Sequence, residues 1–122
     1  MDPRWKHPFT AIVAGPTGCG KTGFTFKFIS ESQDLITPPP EKIIYCYGEY
    51  QEIFSNYPHV TFIEGLPDIS QFDGKQRTLV ILDDLIETND SVSNIFTEVS
   101  HHRNVSVINL KIYFIKVNRI VP

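Results

Sequence analysis

Short apolar runs punctuated by glycine, proline and acids dominate the chain, and their spacing alternates between two periods. Thr10–Ala14, one threonine and four apolar residues, leads directly into Gly15-Pro16, which predicts a short buried strand. From Lys21 to about Ser32 the pattern turns helical, with Phe24, Phe28 and Ile29 expected on one face. Thr37-Pro-Pro-Pro40 cannot continue a helix and predicts a surface connection. Lys42–Tyr47 reads as a second strand closed by Gly48, and Tyr50–Asn56 as a short helix ended by Pro58. Val60–Ile63 predicts another strand, and Pro67–Phe72 a helical turn. After the turn-like Asp73-Gly74, Thr78–Leu82 is the most strongly apolar strand, and it stops at Asp83 and Asp84. Val92, Ile95, Phe96 and Val99 predict a helix over Asn89–His101, capped by Asn89 or Asp90. A last strand begins at Val105–Ile108. Strands alternating with helices imply an α/β fold with a mainly parallel sheet, covered on both faces to make three layers.

Composition narrows this without redirecting it. The 122 residues suffice for one domain, and 41% apolar with 20% charged residues is a globular balance. A net charge of −3 gives no overall attraction to nucleic acid. Cys19 and Cys46 are the two cysteines and form no zinc-like cluster, so both read as free thiols of a reducing compartment. No apolar run approaches the roughly 18–20 residues of a membrane span, and the N-terminus lacks a signal-peptide core. The expectation is a soluble, intracellular protein with no membrane partner.

The chemistry concentrates at two strand ends. Gly15-Pro16-Thr17-Gly18-Cys19-Gly20-Lys21-Thr22 matches G-x-x-x-x-G-K-[ST] at every fixed position, the pattern of a P-loop, or Walker A motif. Glycines let successive N–H groups turn inward toward anionic oxygens, and the following helix adds its positive N-terminal end. Lys21 is expected to reach the β- and γ-phosphates of a nucleotide such as ATP, with the Thr22 hydroxyl on Mg²⁺. A chance match in a chain this long is on the order of one in a few hundred, from average residue usage. Thr78–Asp84 has the form of the companion Walker B strand: Asp83 would orient the metal, and Asp84 would activate the attacking water, in a place where Glu is more usual. Such acids otherwise are solvated strand ends, and it is the pairing with the phosphate loop that gives them meaning.

Other residues are weighed against plainer roles. His101-His102-Arg103 follows the last helix, where cations favour the helix dipole. The sharper role for Arg103 is a transition-state or intersubunit finger. Glu49 reads as a solvated loop acid that could alternatively face the nucleotide. Trp5, His7, Pro8 and Phe9 would either pack beside an adenine ring or form an N-terminal apolar staple. No guanine-reading NKxD segment appears, and nothing supplies the acceptor lid of a kinase.

Four segments together, His7–Thr22, Lys42–Phe54, Thr78–Leu85 and Ser100–Ile108, resemble one group of proteins. These are the DNA-packaging ATPases of poxviruses, large DNA viruses and Maverick (Polinton) elements, in the HerA–FtsK branch of P-loop proteins. The resemblance implies an ATP hydrolase that drives double-stranded DNA into a capsid, usually as a homo-oligomeric ring, with Lys21, Thr22, Asp83 and Asp84 at its nucleotide-site positions. It also implies that the Val105 strand lies between the phosphate-loop strand and the Asp83 strand. Residues 1–108 would then be a partial P-loop ATPase domain, incomplete at its C-terminus. Residues 109–122 depart from the family, whose strand normally ends in a polar Gln-Asn sensor; codons fitting the tail from Leu110 encode QNLFHQSKQNRT one frame over. That tail reads as a frameshifted or mis-spliced end. The alternative to an active ATPase is a nucleotide-binding remnant of an integrated viral element, without turnover.

Overall fold

The computed structural model describes residues 4–15, 21–83 and 102–112. Its centre is a five-stranded parallel sheet built from β2 (Thr10–Gly15), β4 (Lys42–Tyr47), β5 (Thr61–Glu64), β6 (Thr78–Asp83) and β7 (Val105–Ile112), after a two-residue β1 (Trp5–Lys6). The spatial order is β2-β7-β6-β4-β5, and every pairing is parallel. β7 therefore separates β2 from β6, the order the resemblance implies.

β6 shows why the sheet forms. Its Thr78–Leu82 run is buried on both faces, as expected of a central parallel strand with no solvent side to alternate toward. Leu79 and Ile81 join one core with Phe26, Phe28, Ile29, Tyr45, Phe54, Ile108 and Leu110. Val80 and Leu82 join a second with Ile44, Cys46, Phe72, Val105 and Val107. The period of two thus assigns alternate residues of one strand to two cores.

The first core is closed by α1 (Lys21–Ser30), which is followed by α2 (Ser32–Leu35). Among the described side chains of α1, Thr25, Phe26, Phe28 and Ile29 are buried, an arc of about 160° at 100° per residue. Phe28 and Ile29 lie on the inward face as expected. Phe24 lies about 40° outside that arc, in contact with Phe28 on the same side of the helix but 48% exposed. The helix assigned from sequence to Asn89–His101 lies outside the described residues.

Boundaries elsewhere moved little. Tyr50–Asn56 contracts to a 3-10 turn at Glu52–Asn56, and the turn expected at Pro67–Phe72 is a 3-10 turn at Ile69–Gln71. The connection around Thr37 holds one element not expected: β3 (Ile36–Thr37) pairs in parallel with β1 and ties the N-terminus to the end of α2. β7 runs on past Ile108 to Ile112, keeping register with β2 to its end.

Candidate functional site

Parallel strands bring their carboxyl ends to one edge of the sheet, and ligands of such sheets bind outside that edge. Two of the sequence-derived site residues meet there. Gly15 ends β2 and Asp83 ends β6, with β7 between them. Two strand spacings put their backbones roughly 10 Å apart. Leu110 is level with both Val13 and Asp83, so Asp83 stands two residues short of Gly15 along the strand direction. The chain re-enters the described residues at Lys21, the first residue of α1. Pro16, Thr17, Gly18, Cys19, Gly20 and Asp84 lie outside the described residues, as do the side chains of Lys21 and Thr22.

Asp83 is half-buried, and its carboxylate is held by a side chain that sequence reasoning did not single out. The Tyr45 hydroxyl donates to Asp83 Oδ2 at 2.6 Å, a short bond of the charge-assisted kind. Tyr45 is 0% exposed. Burial, then the bond to Asp83, then that carboxylate's charge raise the Tyr45 hydroxyl well above the ordinary tyrosine range, so it remains a donor. One signal could have found it: a tyrosine inside a buried strand needs a partner for its O–H. Using that signal requires knowing that β4 lies beside β6.

The donor chemistry suits a hard cation, because a carboxylate oxygen at a strand tip is what Mg²⁺ accepts. Among the described residues no cluster of three His, Cys, Asp or Glu side chains forms. A metal here would be held by few protein ligands plus phosphate oxygens, the usual habit of Mg²⁺.

Of the remaining candidates, Glu49 follows Tyr47, which is level with Asp83, whereas His7 and Arg103 precede β2 and β7 at the opposite end of the sheet. Val105 is level with Thr78, so the residues before β7 lie five steps, about 16 Å, from the level of Asp83. There Arg103 Nη1 donates to the Phe72 carbonyl oxygen at 2.8 Å, which anchors its guanidinium to the second core and away from the strand tips of its own chain. Asn104 takes a positive φ of 65°, which asparagine tolerates better than most residues. Its amide nitrogen donates to the Gly74 carbonyl at 3.3 Å, which leaves Oδ1 to face His7 Nε2 at 2.8 Å. Since Oδ1 only accepts, Nε2 donates to it, and His7 Nδ1 lies 2.6 Å from the Ser106 hydroxyl. Ser106 Oγ in turn accepts the Phe9 N–H at 3.1 Å. With Ser106 wholly buried, this His–Ser–Asn set is a clamp for the N-terminal segment rather than an open nucleophile.

Trp5 packs on Phe9 at 4.9 Å and on Phe28 at 5.4 Å, near the far end of α1 from Lys21. The geometry is that of the apolar staple, not of an adenine platform. Glu49 is an exposed residue of the turn after β4. Cys46 is a free, fully buried thiol, and burial pushes it up to about 12. No helix among the described residues is long and apolar enough to cross a membrane. Comparison of the chain with protein-family models, with curated proteins and with solved structures returns no match.

Proposed function

We propose that the edge carrying Gly15 and Asp83 binds Mg-ATP and that the chain hydrolyses it. The observation that carries this reading is the strand order. It brings the end of the strand leading into the G-x-x-x-x-G-K-T segment and the end of the strand closing on Asp83 to one edge, one strand apart. Backbone N–H groups of Gly15–Gly20 and the start of α1 would cradle the phosphates, and Lys21 would neutralise charge on the β- and γ-phosphates. The Thr22 hydroxyl and Asp83 would hold Mg²⁺, which when bound supplies charge stabilisation to the phosphoryl oxygens. Asp84 would take the proton of the water that attacks the γ-phosphorus, with ADP as leaving group. The use of that energy, translocation or packaging of double-stranded DNA by a ring of subunits, rests on the family resemblance alone.

A second reading is a nucleotide-binding remnant without turnover, and one observation favours it. Leu110, Lys111 and Ile112 occupy the end of β7, level with Asp83, Ala14 and Gly15, where the resemblance expects a polar Gln-Asn pair. Phosphate release from Mg-ATP, with and without double-stranded DNA, separates the two. Release that depends on Mg²⁺ and vanishes in Lys21→Ala supports the hydrolase, and stimulation by DNA supports the motor. Mg-nucleotide binding with no release in any condition supports the remnant.

A further inference from the structure

The Tyr45–Asp83 bond asks for an explanation that packing alone does not supply. On a parallel pair the residue level with Asp83 is Tyr47, and Tyr45 is level with Ile81. Tyr45 and Asp83 are therefore diagonal neighbours on one face, a separation of about 7–8 Å that only a long side chain bridges. Phenylalanine at 45 would fill the same apolar space. What tyrosine adds is one hydroxyl, delivered to one carboxylate oxygen.

Its delivery is tightly constrained. The Tyr45 ring stacks on Phe26 with centroids 5.3 Å apart and planes 12° from parallel. Phe54 at 5.1 Å and Phe62 at 5.4 Å close other sides. Phe26 belongs to α1, the helix that Lys21 opens, so a single ring touches the phosphate-loop helix and the metal-site carboxylate together. A side chain fixed on several sides can hold its hydroxyl within the few tenths of an ångström that preorganised sites need.

We propose that Tyr45 is a positioning residue that fixes the plane and rotamer of Asp83 for Mg²⁺ bound with nucleotide. This rests on the Mg-nucleotide reading of the site. Outer partners of metal-holding carboxylates act in this manner, and their loss typically weakens metal affinity by about 10- to 100-fold. The hydroxyl also draws charge from Oδ2, which suits a carboxylate that acts on the hydration shell of the ion.

The test uses the full chain and Tyr45→Phe, which retains the ring. Binding of a fluorescent ADP analogue is titrated against Mg²⁺, and separately measured in excess chelator. The expected result is a Mg²⁺ half-saturation raised about 10-fold or more in Tyr45→Phe, with metal-free nucleotide affinity unchanged. In the Asp83→Asn background, the same tyrosine substitution should add no further shift, because its effect runs through that carboxylate. Half-saturation within about twofold of the unaltered chain overturns the proposal and leaves the Mg-nucleotide reading intact. So does a Tyr45→Phe chain that no longer unfolds cooperatively, since the bond is then structural. Nucleotide binding by the unaltered chain that ignores Mg²⁺ overturns both.

Discussion

Replacing Phe26 with alanine removes the residue on which the docking of α1 depends. Its side chain is 2% exposed and lies against three rings: Tyr57 at 4.6 Å, Tyr45 at 5.3 Å and Phe54 at 6.1 Å. A Phe-to-Ala change in a core costs about 3–5 kcal/mol through lost transfer energy and the cavity left behind. Few walls here can collapse, because Tyr45 and Phe54 are themselves packed against Phe62. A cost no lower than the middle of that range, about 4 kcal/mol, is therefore expected. Against a total stability of about 5–15 kcal/mol this is about a quarter or more of what holds the fold. With a urea slope of about 2 kcal/mol/M, the unfolding midpoint should fall by about 2 M. Phe24→Ala is the internal control: two residues earlier on the same helix, half exposed, and in contact with Phe28 at 6.1 Å. It should cost about 1 kcal/mol or less. Equal losses at the two positions, or a Phe26→Ala loss below about 1 kcal/mol, would refute the inward face assigned to α1.

Three further outcomes follow from other contacts. Arg103→Ala should lower stability by about 1–3 kcal/mol, because the Phe72 carbonyl loses a charged donor; phosphate release per folded chain should be unchanged if Arg103 is an anchor and reduced if it is a finger. Ser106→Ala should cost about 1–3 kcal/mol in a urea titration, since it leaves the Phe9 N–H and His7 Nδ1 without their partner. Cys46 should resist a thiol reagent in the native chain and react on unfolding, as mapped by mass spectrometry. Burial raises that thiol from 9.0 to about 12, so its contribution to stability is fully present below pH 9.0 and is lost as pH rises toward about 12.

The parallel sheet was legible in the sequence because two of its central strands, β4 and β6, carry unbroken apolar runs. Thr78–Leu82 could hardly be anything but a central strand, and its acidic end supplied one half of the proposed site. The glycine-lysine-threonine spacing supplied the other half of the proposed site, and most of it lies outside the described residues. What escaped was what depends on neighbours. Tyr45 sits in a run, Lys42–Tyr47, whose pattern shows only burial; its role emerges once β4 lies beside β6. The two-residue strands β1 and β3 are too short to show a period. Phe24 and Phe28 are four apart and looked equivalent, but the arc facing the sheet is centred nearer Thr25 and Ile29. His7 and Asn104 are 97 positions apart, and no local pattern joins them.

The central claim, that the ends of β2 and β6 form one Mg-nucleotide site, is tested most directly by calorimetric titration of the full chain with Mg²⁺ and a non-hydrolysable ATP analogue. Lys21→Ala serves as the matched variant, with folding checked by urea titration. The expected result is one saturable event in the unaltered chain, weakened about 10-fold or more in Lys21→Ala, since a charged hydrogen bond contributes about 1.5–3 kcal/mol. No saturable binding by the unaltered folded chain, or the same affinity in both chains, would contradict it.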